Sequence, residues 1–155
     1  MHLTLTETIM QYPVFVGLSK EEAEELARHC EVLLLPPERR IFSQGDESKD
    51  IFVLFRGRLE IRVNNSDTEE MSVGFLEEGE VFGEMGVLEE MPRSASVYTA
   101  EDAILLRIPG QGFSKMTSEG HLAIHRLVQW SMHKACNRLR DLDRRLDFLF
   151  VTEQK

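Results

Sequence analysis

The sequence is poor in cysteine and in long apolar runs, and both shortages limit the classes of protein to which it can belong. Cys30 and Cys136 are the only cysteines among 155 residues, and neither belongs to a CxxC pair. We therefore expect two free thiols in a reducing compartment rather than a disulfide. No apolar run approaches the ~20 residues that span a bilayer, and the N-terminus lacks the basic and apolar regions of a secretory signal. These absences predict a cytoplasmic protein that does not enter a membrane.

Basic residues are also scarce. Eighteen Lys and Arg face twenty-seven Asp and Glu, which gives a net charge of −9. The imbalance lies in residues 1–117, which hold eleven basic and twenty-two acidic residues, whereas residues 118–155 hold seven and five. Because an acidic body repels phosphates, we expect no direct nucleic acid binding by this chain. A small anion would need strong local donors to bind.

Motifs of enzymes and metal sites are missing as well. The sequence contains no Gly-x-Ser-x-Gly elbow, no Walker phosphate loop and no HxH pair of the kind that cupin metal sites use. His121 and His125 have the i, i+4 spacing that can chelate a metal from one helix face, but no Cys or carboxylate completes the set. We interpret them as surface histidines and predict neither a metal nor an enzymatic activity.

The central part of the chain has the sequence pattern of short β-strands. Ser19 and Glu22 form a capping box that predicts a short helix over 20–29. Six short β-prone runs follow, separated by turn residues, which favours an antiparallel sandwich or roll. The runs are residues 31–35, 51–55, 59–63, 71–76, 95–98 and 103–108.

The C-terminal part reads as helical. A short helix near 113–116 and a break at Gly120 precede a long helix predicted over 121–150. An apolar stripe on this helix repeats with spacings of four and three residues, as in a coiled coil. Its members are Val128, Met132, Ala135, Leu139, Leu142, Leu146 and Leu149.

This stripe predicts a parallel homodimer. Arg138 falls at a g position and Asp143 at the following e position, so that the two can pair across the seam. The alternative is that the stripe packs against the β structure of its own chain, because Leu127, Trp130 and Phe150 broaden it.

Residues 82–97 carry the strongest chemical signal. Gly83 permits a close approach of the backbone, and a single helical turn over 84–88 would aim its N–H groups at an anion. Glu84 is suited to accept a hydrogen bond from a ribose 2′-hydroxyl, and Arg93 to donate two parallel bonds to a phosphate. Ser94 adds a hydroxyl and a backbone N–H. On spacing alone, a surface ion pair between Glu84 and Arg93 that closes a loop remains an equal alternative.

The wider pattern resembles a known family. Phe82-Gly83-Glu84 followed by Pro92-Arg93-Ser94-Ala95-Ser96-Val97 is similar to the phosphate-binding cassette of cyclic nucleotide-binding domains. These domains occur in catabolite activator proteins, in regulatory subunits of cyclic nucleotide-dependent kinases and in cyclic nucleotide-gated channels. The similarity extends to residues 15–19, 41–46, 54–61 and Gly79, and covers roughly 10–150.

The resemblance implies a fold. It is mainly β with flanking helices (α+β): a double-stranded β-helix, or jelly-roll-like β-roll, with an N-terminal helix and a long C-terminal helix. Residues 1–120 would form the ligand-binding β-roll with its N-terminal helix. Residues 121–155 would form the long helix, which serves as a lid and as the dimerisation element.

The resemblance also implies a set of ligand-binding residues. Glu84 would bind the ribose 2′-hydroxyl, Arg93 would pair with the cyclic phosphate, and Val73 would form an apolar wall against the base. The purine lid would come from Asn137, Arg138 or Arg140. The implied cassette contacts are Phe82, Gly83, Glu84, Met85, Arg93, Ser94 and Ala95.

Two positions depart from or vary within the family pattern. Gly86 stands where alanine is usual, a change that we expect to cost mainly local rigidity. Alanine at the position of Ser94 accompanies cAMP in the family and threonine accompanies cGMP, whereas serine can serve either. We favour cAMP over cGMP as the ligand.

The predicted function is that of a sensor. A cyclic purine nucleotide would reposition the C-terminal helix and so signal to an effector protein that the sequence does not identify. Two alternatives remain: the sensor half of a transcription regulator without its helix-turn-helix, since only five residues follow 150, and a dimerisation module that binds no ligand.

Overall fold

The structure, a computed structural model, describes residues 2–67 and 69–153, with side chains through residue 147. In these described ranges, eight antiparallel strands form two four-stranded sheets, with the orders β1-β8-β3-β6 and β2-β7-β4-β5. This arrangement confirms the predicted β-roll with flanking helices. The strands are β1 Glu31–Leu35, β2 Arg40–Phe42, β3 Ile51–Arg56, β4 Leu59–Asn64, β5 Glu70–Leu76, β6 Val81–Phe82, β7 Ser96–Thr99 and β8 Ala103–Ile108.

Five α-helices surround the sheets in the described residues. A capping box between Thr4 and Glu7 starts α1, and the predicted box between Ser19 and Glu22 starts α2. Gly120 adopts a positive φ of 66° between the last two helices, where the sequence predicts a break. The helices are α1 Leu5–Gln11, α2 Lys20–Arg28, α3 Glu84–Leu88, α4 Gly110–Ser118 and α5 Leu122–Glu153, and a 3-10 turn covers Pro13–Phe15.

Strand β3 separates two hydrophobic cores. Phe52 and Leu54 face the core between the two sheets, whereas Val53 and Phe55 face the core between the sheet and the helices. Both faces of β3 are therefore buried, which explains its continuous apolar sequence. The first turns of α5 close the second core with Leu127 and its neighbours, so the long helix is anchored at its N-terminal end.

One sequence interpretation is wrong. His121 is a buried residue, 8% exposed, and not a surface histidine. Its Nδ1 accepts a hydrogen bond from the Ala123 N–H at 3.0 Å, and its Nε2 lies 3.3 Å from a carboxylate oxygen of Glu25. The ring therefore joins the start of α5 to α2. His125 is exposed, and no group of metal-ligating side chains occurs in the described residues.

The two cysteines are unpaired, and one of them is partly buried. Cys30 and Cys136 both lie within the described residues and form no disulfide. Burial raises the pKa of the Cys30 thiol to about 12, so it stays protonated at neutral pH. Among the helices of the described ranges, α5 included, none carries an apolar stretch long enough to cross a bilayer.

Gly57 provides a test of the turn between β3 and β4. It adopts a φ of 96°, and a Cβ there would lie 2.4 Å from the backbone oxygen of Asp102. We expect Gly57→Ala to lower the free energy of unfolding by ~2–4 kcal/mol. Gly79 is a matched control, because its φ is 85° but a Cβ would meet open space, and Gly79→Ala should cost only ~1–2 kcal/mol. Equal losses in urea unfolding would contradict the predicted clash.

Candidate functional site

The candidate site begins where β6 passes into α3. Gly83 adopts a φ of 81° and is the N-cap of α3, as the sequence predicts for a helical turn over 84–88. A Cβ on Gly83 would lie 2.6 Å from Nη1 of Arg93. Glycine is therefore required for both the backbone turn and the close approach of the arginine.

Glu84 occupies the first position of α3 and is partly buried. Burial raises the pKa of its carboxyl, while its own backbone N–H, Ser131, Arg138 and Lys134 act in the opposite direction. Ser131 lies beside the carboxylate, but its buried hydroxyl reaches normal hydrogen-bond geometry with no group in the described residues. Glu84 thus faces a cavity that α5 covers.

Arg93 is almost fully buried, with 6% of its surface exposed. Its Nη1 donates to the Gly83 carbonyl at 2.7 Å, and its Nη2 donates to the Asp50 carbonyl at 2.6 Å. Burial lowers the pKa of the guanidinium, while Asp50, Asp46 and Glu84 raise it. Arginine nevertheless remains charged at any physiological pH, so a cation is held inside the protein.

The turn before β3 holds the backbone of Arg93 as well. The Gly45 N–H donates to the Arg93 carbonyl, and the Arg93 N–H donates to the Asp46 carbonyl, each at 2.8 Å. The carboxylate of Asp50 in turn accepts from the Gly110 N–H at 3.2 Å and lies 3.0 Å from Nε of Arg107. The residues that fix Arg93 are therefore distant from it in sequence.

These elements enclose a cavity of about 460 Å³. Its volume lies within the ~300–1,000 Å³ that is usual for small-molecule sites. A larger groove of about 770 Å³ lies beside Leu34, Gly57 and Asp102, but none of the cassette residues lines it. Of the residues predicted from sequence, the cavity brings together Phe82, Gly83, Glu84, Met85, Arg93, Ser94, Ala95 and Arg138.

Val73 lies outside this cavity and is 57% exposed. Successive side chains of a strand point to opposite faces, so Val73, three positions from the buried Leu76, lies on the same outer face as the exposed Phe75. A bulge also leaves Val73 unmatched, because Gly74 pairs with Ile61 and Ser72 pairs with Arg62. The apolar wall of the cavity comes instead from Ile61, Leu76, Val81 and Val97. Sequence reasoning missed Ile61 and Leu76 because the resemblance assigned the apolar wall to Val73.

Only one of the three predicted lid residues lines the cavity. Arg138 lies close enough to Glu84 to affect its pKa. Asn137 and Arg140 are exposed and outside the lining, and Arg140 donates to the Asn137 side chain at 3.3 Å. Sequence reasoning missed Lys134, which lines the cavity and lies 3.0 Å from a carboxylate oxygen of Glu80. This ion pair ties α5 to the turn before β6.

Gly86 is explained by Ser48, which also lines the cavity. A Cβ on Gly86 would lie 2.1 Å from the Ser48 Oγ and 2.7 Å from its Cβ. We expected glycine in place of alanine to cost mainly local rigidity, but it also has a packing role. The missing side chain leaves the space that Ser48 occupies.

Comparison with known proteins identifies the family of the chain. Residues 32–119 match the family described as "Cyclic nucleotide-binding domain", which is more than half of the chain. The chain therefore belongs to the cyclic nucleotide-binding domain family.

Among its relatives is the "Cyclic AMP receptor protein" of Thermus thermophilus, which is 30% identical over 143 residues. The match covers 92% of this chain but 64% of that protein, so the chain spans less than two thirds of its length. The crystal structure of the Thermus thermophilus catabolite activator protein superimposes with a TM-score of 0.69 at 31% identity, covering 88% of this chain and 62% of that one.

Two further matches differ in kind. The "cAMP-dependent protein kinase regulatory subunit" of Mycosarcoma maydis is 32% identical over 92 residues, which cover 59% of this chain and 17% of that protein. The structure of a putative cyclic nucleotide-binding protein from Geobacter metallireducens has a TM-score of 0.72 at 18% identity and covers 88% of this chain and 99% of that one. The latter supports the fold alone.

The raised pKa of Glu84 has a consequence for stability. Between the pKa of the unfolded carboxyl and the higher pKa of the folded one, the folded protein binds more protons, so stability falls as pH rises through this window. We expect Glu84→Gln to remove this loss, so that the stability of the variant relative to the wild type rises as the pH rises through this window. Urea unfolding of both proteins from about pH 4 to about pH 8 measures the effect. A difference between them that does not change over this range would contradict the burial of a charged carboxylate.

Proposed function

We propose that this chain is a sensor that binds cAMP in the cavity between the β-roll and α5. The supporting observation is that Glu84 and Arg93 line one cavity and are close enough for the charge of Glu84 to raise the pKa of Arg93. A carboxylate and a guanidinium in this relation can bind a sugar hydroxyl and a phosphate of one small molecule. A simple surface ion pair would not bury the arginine.

The guanidinium has donors left for a phosphate. Two of its five N–H groups bond the carbonyls of Gly83 and Asp50, and its buried Nε has no partner within the described residues. The N–H groups at the start of α3 and the backbone of Ser94 add neutral donors. Hydrogen bonds from such donors are stronger in a site that excludes water. They therefore offset the repulsion between the phosphate and the acidic body of the protein.

The rest of the cavity suits a purine. Ile61, Leu76, Val128 and Met132 give it apolar walls, and the adjoining α5 brings Lys134 and Arg138. We favour cAMP because the relatives with named ligands include a cyclic AMP receptor and a cAMP-dependent kinase subunit. Ser94 is exposed at the cavity and compatible with either purine.

The output of the sensor is a movement of α5. Ser131, Lys134 and Arg138 of this helix lie around the Glu84 carboxylate, to which the ribose would bind. A ligand that bonds Glu84 changes these contacts, and a preference of ~3 kcal/mol for one helix position would shift the populations roughly a hundredfold. In this view residues 1–120 bind the ligand, and residues 121–155 transmit the signal to an effector protein.

The same helix is the proposed dimerisation element. The stripe residues beyond the first turns are largely exposed, namely Met132 at 62%, Leu139 at 61%, Leu142 at 54% and Leu146 at 50%. Met132 lines the cavity, whereas Leu139, Leu142 and Leu146 belong to neither hydrophobic core and lie outside the cavity lining. Their exposure favours a partner over the alternative of packing against the roll. The side chains of Leu149 and Phe150 lie outside those that the structure describes.

The cellular setting follows from the same observations. Two free thiols and a cAMP ligand favour the cytoplasm, and the acidic β-roll disfavours direct nucleic acid binding by this chain. The match to "cAMP-activated global transcriptional regulator Vfr" of Pseudomonas aeruginosa, 27% identical over 83% of this chain, favours a transcription regulator as the wider context, with any DNA contact made elsewhere.

Calorimetric titration of the purified chain with cAMP and with cGMP tests the sensor. We expect saturable binding, stronger for cAMP, and a loss of ~2–3 kcal/mol in binding free energy for Arg93→Ala, because a charge-assisted pair is removed. Arg58→Ala is the matched control, since Arg58 stacks on Phe75 outside the cavity. No binding of either nucleotide at millimolar concentration would favour the ligand-free dimerisation module instead.

Sedimentation tests the dimer. We expect Leu139→Asp combined with Leu142→Asp to convert a dimer into a monomer, because two charges would enter the apolar seam. Leu34→Asp is the control, since Leu34 is 73% exposed on β1, away from α5. A wild-type monomer at micromolar concentration, or a double variant that remains dimeric, would contradict the proposed interface.

A further inference from the structure

We propose that Phe42 is a positioning residue of the site, whose ring holds the guanidinium of Arg93 in the plane that a phosphate requires. The role in ligand binding rests on the proposed function, whereas the contact itself does not. Phe42 ends β2, lines the cavity and lies 51 positions before Arg93 in sequence. Neither spacing nor the cassette pattern identifies it.

The ring and the guanidinium are stacked closely. Cζ of Arg93 lies 4.2 Å from the centroid of the Phe42 ring and 6.0 Å from that of Phe52. The Phe42 ring is itself supported by Phe52 and Phe82, with centroid distances of 5.9 and 6.1 Å, while Phe52 and Phe82 stack at 5.1 Å. Three aromatic rings thus form the floor beneath one cation.

The aromatic floor and the two carbonyls restrict different motions of the guanidinium. The carbonyls of Gly83 and Asp50 fix its Nη edge, but two in-plane bonds do not prevent rotation about the axis that they define. The Phe42 ring covers one face and so restricts that rotation. The remaining N–H groups are then held ready for a ligand, which lowers the ordering cost of binding.

The ring also compensates in part for the loss of water. Burial lowers the pKa of Arg93, which means that its charge is poorly solvated. No side-chain carboxylate makes an ion pair with it within 4.0 Å in the described residues. The face of an aromatic ring attracts a desolvated cation without neutralising it, whereas a bound carboxylate would compete with an incoming phosphate.

The plain alternative is that Phe42 only fills the core. It is partly buried and packs against the cluster between the two sheets, so any substitution will cost some stability. A core role predicts an effect on ligand affinity that is independent of Arg93. A positioning role predicts an effect that disappears when the guanidinium is absent.

A double-mutant cycle separates the two roles. Measured with cAMP at a temperature where all variants are folded, Phe42→Leu should weaken binding about fivefold to tenfold in the wild-type background. In the Arg93→Ala background it should weaken binding by less than about twofold. Phe42→Tyr should retain wild-type affinity, because it keeps the ring face.

Phe75→Leu is the matched control. It removes a ring that stacks on Arg58 at 3.9 Å, outside the cavity, and should leave the affinity for cAMP unchanged. Equal losses for Phe42→Leu in both backgrounds would overturn the proposal, even with the wild type binding cAMP.

A measurement without ligand tests the contact between Phe42 and Arg93 independently of the proposed function. In the NMR spectrum of the wild type, the ring current of Phe42 should shift the Nε–H resonance of Arg93 upfield, and the shift should be lost in Phe42→Leu and kept in Phe42→Tyr. An Arg93 resonance at the ordinary position of a free arginine in the folded wild type would overturn the stacking. Failure of the wild type to bind any cyclic nucleotide would instead refute the sensor function and leave this result standing.

Discussion

The site depends on keeping one cation inside an acidic protein. Arg93 is buried, and its guanidinium is held by the carbonyls of Gly83 and Asp50 rather than by a carboxylate. Carbonyl oxygens orient a guanidinium without cancelling its charge. The β-roll therefore presents a localised positive charge to the cavity, although the chain as a whole carries a net charge of −9.

Several features of the chain follow from that requirement. Gly83 must lack a side chain because Nη1 of Arg93 occupies the space. The turn at Gly45 and Asp46 bonds both the carbonyl and the backbone N–H of Arg93. Asp50 joins the arginine to the start of α4 through the Gly110 N–H. The site is thus connected through Asp50 to α4, which packs against α5.

Most of the fold can be predicted from the sequence, and so can the part of the candidate site that lies in one stretch of chain. The capping box at Ser19, the alternating strand β4 and the cassette over 82–97 are local patterns, and local patterns are readable without a structure. Strands β2 and β6 have three and two residues, too few to show a period. The face on which Val73 lies depends on how β5 pairs with β4, and the contacts of Phe42, Ser48 and Asp50 with the cassette depend on the tertiary fold. These could not be obtained from spacing.

The most direct test is a crystal structure of the chain grown with cAMP. The account predicts the ligand in the cavity beneath α5, with the Arg93 guanidinium against the exocyclic phosphate oxygens and the Glu84 carboxylate accepting from the ribose 2′-hydroxyl. A nucleotide bound elsewhere on the chain, or bound in this cavity with either side chain turned away from it, would contradict the account.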